Sequence, residues 1–568
     1  MSVLSLATPA PADVPSVETP APRRDGGDDT GRRALLLVLA ALVVGLGLRV
    51  AIGLTDDAPS VDETAYLRSG LSLADGDGYE RDGHAELHFP PLVPALLGAA
   101  SHLVDDPHTG TVWLTILAGT ALVVVLTLLA HRLAGPKAAV ATAWVAALAP
   151  GLATTPAARG AGSEAEYTLL VVSAAYLVVA ASRREGPAQL ARFAGGGLCV
   201  GLAYLTRPEG LFAAAPLGVA VLVVAARAGG GRRLRAGALA AAVFALPLAV
   251  CVVPYASFLH THTGRWELTA KTQDASIEAW HAVARSDRRA RDEVLYALDD
   301  SGLHIQDDRT PLTGLAEDDP AGYAGILGTN VVSLGKNVGG WWLLPLPVWV
   351  LAVAGAWRAR RQRGTQLLAI VALLPVGTAL AFFVQPRYLI VTAAVAVVMA
   401  GTTVPTLPRR ARGPTMAVLL VLLAASSLGA FYGAGGWWHP GDHLDQRRAG
   451  EWLAAHTDPD DRVMTRSMVA AYYAERPTMA IPYADFDEIM AYARHYGAHY
   501  LVVDWYTAGR LRPQLAHLQD DDRPPGLRLV HEETAEGRTT RIFTLDPVPP
   551  PPPPGEEAPA LGFMGDAT

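Results

Sequence analysis

A chain of 568 residues that is 51% hydrophobic and only 18% charged, with mean hydropathy +0.24, lies outside the usual range of soluble domains. It reads as an integral membrane protein with room for several domains. The net charge of -8 excludes little, because arginines and carboxylates are segregated along the chain. The two cysteines, Cys199 and Cys251, both lie in apolar runs; they read as small packing residues and exclude a disulfide framework or a cysteine metal site.

Residues 1–31 are rich in Pro, Ala and Asp without apolar periodicity and predict a disordered cytoplasmic tail. The apolar run at 34–54 is long enough to span, needing roughly 20 residues, and Arg49 near its far end is placed to snorkel. No small-residue cleavage site follows, so an uncleaved anchor is expected. A polar, acidic segment at 55–107 carries Asp62-Glu63, the turn-rich Asp75-Gly76-Asp77-Gly78 and His88-Phe89-Pro90-Pro91-Leu92. Tyr66, Leu67, Leu71, Leu73 and Ala74 predict a short amphipathic helix on the membrane surface after the acidic pair. Further apolar runs lie at 109–130, 138–152, 165–181, 193–205, 211–226, 236–259, 341–357, 367–384, 389–404 and 416–431, giving about eleven membrane segments.

Orientation follows from the short loops, which collect Lys and Arg on the cytoplasmic side. With the N-terminus inside, Arg132 and Lys137, Arg183, Arg184 and Arg192, Arg227 to Arg235, Arg358 to Arg363, and Arg409 to Arg412 are all inside. The opposite short turns carry single arginines, Arg159, Arg207 and Arg387. This alternation predicts an odd number of spans, with Asp62-Glu63, residues 257–340 and the C-terminal portion outside. Trp341-Trp342 and Trp437-Trp438 read as aromatic-belt residues.

The run at 193–226 is interrupted by Thr206-Arg207-Pro208-Glu209-Gly210. Irregular backbone with an Arg and a Glu below the outer surface is tolerable only against protein or a water-filled cavity. The alternative is a tight hairpin whose Arg207 snorkels. Beyond 431 the composition becomes that of a soluble α/β domain at roughly 433–546. Helices are expected at 451–456 and 486–496, strands at 462–465, 479–483 and 500–503, and a terminal hairpin at 527–530 and 541–544; this pattern predicts a small, mainly parallel sheet. No Gly-rich phosphate loop opens its helices. Residues 547–568, with the polyproline stretch 549–554, predict a second disordered tail.

The external features that could carry chemistry are Asp62-Glu63, His88, Ser163-Glu164, Arg207 with Glu209, and Arg387 in Gln385-Pro386-Arg387-Tyr388. Carboxylates and arginines at one membrane face suit transfer from a lipid-linked phosphosugar. A carboxylate takes or orients the acceptor proton, and guanidinium groups neutralise the departing phosphate. Each residue also has a plainer reading: the acids complement helix N-termini, His88 is an interfacial histidine, and Arg387 is an interface anchor.

The order Asp62-Glu63 after the first span, Pro90-Pro91-Leu92, Ser163-Glu164, Thr206-Arg207-Pro208-Glu209-Gly210, Thr263-Gly264-Arg265-Trp266 and Pro386-Arg387-Tyr388 resembles membrane glycosyltransferases of the GT-C type, closest to the protein mannosyltransferase and aminoarabinose transferase-like family. The resemblance covers roughly residues 33–405. It implies a mainly α polytopic membrane protein with a GT-C-like catalytic domain at 32–432, external loops at 55–107 and 257–340, and the extracytoplasmic α/β domain. It also implies a polyprenyl-phosphate sugar donor, usually inversion at the anomeric centre, Asp62 as catalytic base, and Glu63 and Glu164 positioning the acceptor or supporting that base. Some relatives carry a Lys directly before Pro-Pro-Leu; Phe89 stands there in this chain, so His88, Arg207 or Arg387 is expected to meet the donor phosphate.

The resulting expectation is a polyprenyl-phosphate-sugar-dependent glycosyltransferase at the outer membrane face. Its partners are a protein, lipid or polysaccharide acceptor and the bilayer, without nucleic acid. Asp62 and Glu63 are assigned to catalysis, Glu164, His88 and Glu209 to acceptor or donor positioning, and Arg207 and Arg387 to the donor phosphate. No His/Asp/Glu spacing specifies a metal; none is expected to be required and no cofactor is expected, with recruitment of a divalent metal by the carboxylates left as an open alternative. The competing readings are a transporter or flippase for lipid-linked saccharides, which favours repeated broken helices where this chain shows one clear interruption, and a noncatalytic envelope scaffold.

Overall fold

The structure, a computed structural model, describes residues 27–153, 163–228, 233–271, 276, 278–283, 289–305, 312–432, 443–520 and 524–551. The expectations for residues 1–26, Arg159, Arg232, Trp437-Trp438 and 552–568 fall outside these. Helix α1 (Gly27–Gly53) begins inside the stretch expected as tail. Then come α2 (Val61–Asp75), a small hairpin β1 (Glu80–Arg81) and β2 (His84–Ala85), and α3 (Leu92–Ser101). The hairpin turns on Asp82-Gly83, both at positive φ, which matches the right-handed twist of a two-residue loop.

The helical bundle continues with α4 (Pro107–Ala134), α5 (Pro136–Leu148), α6 (Pro150–Ala153), α7 (Glu164–Ala181), α8 (Pro187–Thr206), α9 (Ala214–Ala228) and α10 (Arg233–Thr263). Two short helices, α11 (Arg289–Leu295) and α12 (Leu312–Asp318), lead to α13 (Pro320–Gly339), α14 (Leu346–Arg358), α15 (Arg363–Ala381), α16 (Ile390–Thr403) and α17 (Arg409–Phe431). Every apolar run expected to span falls on a helix. Among the described residues eight helices are long and apolar enough to cross a membrane, and α5 and α14 are apolar but shorter. The chain is a multi-pass membrane protein. Helix α13, too polar to read as a span from sequence, joins the bundle beside α15, where Asn330 Nδ2 donates to the Leu380 and Phe382 carbonyls freed at the end of α15.

Small residues set the close helix packing expected where both surroundings are apolar. A Cβ on Gly197 would stand 1.9 Å from the Phe244 carbonyl oxygen, and one on Gly201 2.7 Å from Cys251 Cβ, so α8 lies directly against α10. Helix α16 forms the centre of the bundle, with 78% of its span buried. Arg49 does not snorkel. Its guanidinium is buried, donating to the Gly45 and Leu152 carbonyls at 2.9 and 2.8 Å and to Ala147 at 3.4 Å. Pro150 breaks α5 from α6 and frees carbonyls there; Gly119, without a side chain, leaves room for the arginine that satisfies them.

The C-terminal domain comprises α18 (Leu444–His456), β3 (Val463–Thr465), α19 (Met468–Ala474), β4 (Thr478–Ala480), α20 (Phe486–His495), β5 (Tyr500–Asp504), β6 (Leu527–Ala535) and β7 (Arg538–Leu545). The sheet order is β4-β3-β5-β7-β6. Pairings β4-β3 and β3-β5 are parallel, and β5-β7 and β7-β6 antiparallel, so the sheet is mixed rather than mainly parallel. The reason is local: the terminal hairpin adds through β7 to the free edge of β5, and a hairpin can pair only antiparallel within itself.

This domain rests on α2. Arg68 Nη2 donates to the Ala471 carbonyl on α19 at 2.7 Å, and Arg447 Nη1 donates to the Asp57 carbonyl at 2.6 Å. Residues 289–305 join it from the other side. The Tyr483 amide donates to the Tyr296 carbonyl at 2.7 Å, and the buried Asp292 carboxylate receives Arg512 Nη1 at 2.8 Å and Arg466 Nε at 3.1 Å.

Candidate active site

Ser60 begins α2 as its N-cap and forms a reciprocal capping box with Glu63: the Glu63 amide donates to Ser60 Oγ, and the Ser60 amide to Glu63 Oε2 at 3.1 Å. The helix period then turns the two acids to different surroundings. Glu63 is fully buried, its Oε1 2.7 Å from Nδ1 of His108, whose Nε2 lies 3.1 Å from the Asp56 carbonyl. Both imidazole nitrogens thus face acceptor oxygens, an arrangement that a doubly protonated ring satisfies. Asp62 retains 35% side-chain exposure and faces the cleft. The acidic pair is split by placement: Glu63 ties the N-terminus of α2 to α4, and Asp62 meets the cleft.

In the cleft, Arg387 Nη1 donates to Asp62 Oδ2 at 2.6 Å. Arg387 comes from a 3-10 turn, Pro386–Leu389, that opens α16, and its Nε donates to Gln385 Oε1 at 2.9 Å. Arg207 comes from the break between α8 and the 3-10 helix Pro208–Ala213. Its Nη1 donates to Glu164 Oε1 and Ser163 Oγ, both at 3.0 Å, and its Nε lies 3.8 Å from Glu209 Oε2. Glu164 Oε1 is also 3.9 Å from Arg387 Nη1, so this carboxylate at the start of α7 lies between both guanidinium groups. The Tyr388 ring packs under both as well, at 5.3 Å from Arg207 and 5.2 Å from Arg387. The interruption at 206–210 is therefore a built feature: its arginine is engaged by protein groups of α7.

Burial works to raise the Asp62 carboxyl, but the Arg387 guanidinium beside it, with Lys271 behind, outweighs this and holds it well below the usual carboxylate range. Lys271 was not among the residues singled out from sequence. It follows Thr263-Gly264-Arg265-Trp266 in the segment after α10, which is pinned to α8 by Tyr204 Oη donating to the Leu268 carbonyl at 2.8 Å. Its Nζ stands 4.8 Å from the centre of the Phe89 ring. The only sequence signal was rarity, since Lys137, Lys271 and Lys336 are the sole lysines of an arginine-rich chain.

His88 lies at the rim, half-buried, its ring edge-on to Phe89 at 4.5 Å and close enough to act electrostatically on Asp62. The turn that carries it is held by Glu86, a buried carboxylate that sequence reading passed over. Its Oε1 accepts from the His88 and Phe89 amides at 2.8 and 3.1 Å, and its Oε2 pairs with Arg81 at 2.9 Å. The Phe89 carbonyl accepts from Tyr79 Oη at 2.6 Å and Tyr255 Oη at 3.3 Å, fixing the ring under Lys271. Among the described residues no group of three or more His, Cys, Asp or Glu is arranged to hold a metal ion.

Residues 88–256, which include His88, Glu164, Arg207 and Glu209 but not Asp62, Lys271 or Arg387, match the family model of dolichyl-phosphate-mannose-protein mannosyltransferases. The structure superposes on ArnT from Cupriavidus metallidurans bound to undecaprenyl phosphate with a TM-score of 0.56 at 14% identity, covering 91% of this chain and 99% of that one. The chain has the GT-C fold. The apo state of the same ArnT gives a TM-score of 0.56 at 14% identity, over 92% of this chain and all of that one. The archaeal oligosaccharyltransferase AglB from Archaeoglobus fulgidus, in complex with an inhibitory peptide and a dolichol-phosphate, gives 0.53 at 14% identity over 84% of this chain and 70% of that one. No curated protein matches the sequence significantly. In this chain Asp62, Glu164, Arg207, Glu209 and Arg387 converge on one end of the bundle, His88 borders them, and Glu63 faces away.

Proposed function

We propose that this chain is a glycosyltransferase that moves a sugar from a polyprenyl-phosphate donor to an acceptor hydroxyl or amine at the outer face of the membrane. The observation that carries the reading is the pairing of Asp62 with Arg387, backed by Glu164 and Arg207 in the same cleft. A carboxylate beside guanidinium groups can accept a proton while the cations receive a phosphate. The acceptor oxygen or nitrogen forms a bond to the anomeric carbon as the bond from that carbon to the phosphate oxygen breaks. The acceptor proton passes to Asp62, and the polyprenyl phosphate leaves with the bond electrons toward Arg387 and Arg207. Attack on the face opposite the leaving phosphate inverts the anomeric centre.

Two further observations support it. ArnT, which shares the fold, is bound to undecaprenyl phosphate, and AglB to a dolichol-phosphate. The arginine-rich short loops at the opposite ends of the helices support an outward-facing cleft, with the C-terminal domain extracytoplasmic. That domain rests on α2 through Arg68 and Arg447, a position from which it and residues 257–340 shape an acceptor cleft. The test is reconstitution with a panel of polyprenyl-phosphate sugars. Native protein is expected to transfer at least one, and Asp62→Asn to insert normally and lose nearly all transfer; full activity of Asp62→Asn would overturn the mechanism.

A further inference from the structure

The cations of the cleft are not equivalent. Arg387 is occupied by Asp62, and Arg207 by Glu164, Ser163 and Glu209. Lys271 differs: among the described residues its ammonium has neither an ion-pair nor a hydrogen-bond partner, and it stands over the face of Phe89. An ammonium resting on a ring face is partly desolvated without being neutralised, so it keeps its capacity to receive an anion. It also lies within electrostatic reach of Asp62, Glu209, Arg207 and Arg387, which places it at the same cleft.

We infer that Lys271 is the residue that first engages the donor phosphate, at a position set by the ring of Phe89. This deepens the proposed function and rests on it. The charge count explains why such a residue is needed. Asp62, Glu164 and Glu209 face Arg207 and Arg387, so an arriving phosphate meets guanidinium groups already committed to carboxylates. Either arginine has further N–H donors but offers its charge to the phosphate in competition with a carboxylate already paired to it, whereas Lys271 has no paired carboxylate among the described residues. Burial, and then the neighbouring Arg207, holds the Lys271 ammonium below the ordinary lysine value, with Asp62 and Glu209 acting in the opposite sense. A bound phosphate would remove this unfavourable balance.

Delivery from the segment after α10 has a structural consequence. The segment is anchored by Tyr204 to the Leu268 carbonyl, and Phe89 by Tyr79 and Tyr255 to its carbonyl, so lysine and ring are positioned by separate elements of the bundle. Because the Lys271 ammonium stands over the Phe89 ring, a lysine introduced at position 89 would bring a cation into the same part of the cleft.

The experiment measures binding of a polyprenyl monophosphate and of the uncharged polyprenol to the full chain in lipid nanodiscs. The variants are Lys271→Gln, Lys271→Arg, and Lys271→Gln combined with Phe89→Lys. Loss of one charge-assisted contact predicts a drop in monophosphate affinity of about 10–100-fold for Lys271→Gln, with polyprenol binding unchanged. Lys271→Arg should keep much of the affinity, and Phe89→Lys should restore it in the Lys271→Gln background, which also shows that the variant is folded. Equal monophosphate affinity of native and Lys271→Gln protein would overturn the inference and leave the proposed function standing. A native protein that binds the monophosphate no better than polyprenol would overturn both.

Discussion

Asp62 and Arg387 are 325 residues apart in sequence and joined by a 2.6 Å hydrogen bond. The contact closes the segment that follows the first span onto the start of α16, the most buried of the eight spanning helices among the described residues. It also sets the chemistry of Asp62, because a carboxylate held low by a guanidinium is a weak base. A phosphate that draws on Arg387 would raise the basicity of Asp62, so donor binding and base activation would be linked through one arginine.

That linkage has a signed pH consequence. With Arg387 present, Asp62 stays ionised throughout the neutral range and well below it, and the acid limb of kcat/KM should carry no contribution from Asp62 above about pH 4. In Arg387→Gln burial is opposed only by Lys271 and His88, so the carboxyl rises relative to the native protein. The residual activity of Arg387→Gln should therefore lose its low-pH portion, its acid limb moving to higher pH than in native protein. A pH–rate profile of both proteins measures this, and an unmoved limb would show that Asp62 is not the base.

Glu63 should behave as a structural residue. Its carboxylate is buried against His108 while its other oxygen caps α2. Breaking a buried pair by removing one partner costs about 3–5 kcal/mol. Glu63→Ala is expected to lower the thermal inactivation temperature strongly, whereas Glu63→Gln, which can still accept from the Ser60 amide, should recover part of the loss. Equal thermal inactivation of Glu63→Ala and native protein would remove this positioning role.

The legible and illegible parts of the sequence separate along physical lines. Span helices were readable because long apolar runs have few alternatives, and the runs at 34–54 through 416–431 all fall on helices. Asp62, Arg207 and Arg387 stood out because charges at the ends of apolar runs are conspicuous. What sequence could not show was direction. Asp62 and Glu63 are adjacent yet face opposite surroundings, and the pattern Ser60-x-x-Glu63 signals a capping box as readily as a catalytic acid. Arg49 turned inward because carbonyls freed at Pro150, about a hundred residues later, were within reach. Lys271 was invisible because its importance lies in standing over Phe89, a contact between distant segments.

Asp292 should hold the segment 289–305 on the C-terminal domain. Burial opposes its charge, but Arg466, Arg512 and Arg291 keep its carboxyl well below the usual range. A depressed acid contributes its stability in full above the unfolded value, about pH 4, and loses it as pH falls toward the lower folded value. At neutral pH Asp292→Asn should therefore loosen the segment, seen as faster proteolysis between 276 and 305. Acidification below about pH 4 should bring native protein toward the variant's rate. Identical neutral-pH cleavage of the two proteins would show that the pair does not hold the segment.

Gly210 offers a test of how firmly the break at 206–210 positions Arg207. A Cβ at 210 would stand 2.4 Å from the Ala203 carbonyl carbon and 2.6 Å from the Tyr204 nitrogen, both backbone atoms of α8. Neither can rotate away, so Gly210→Ala must shift the 3-10 helix or the end of α8, and overpacking of this kind costs roughly 1–3 kcal/mol. The Gly210 amide also donates to the Arg207 carbonyl at 2.9 Å, so the shift is passed directly to the arginine that meets Glu164. Gly377 within α15 has open space at its Cβ position and serves as the control. Gly210→Ala is expected to lower transfer at least tenfold, the equivalent of about 1.4 kcal/mol, while Gly377→Ala leaves it near native. Equal transfer rates in these two variants would mean that the position of Arg207 does not depend on the close approach at 210.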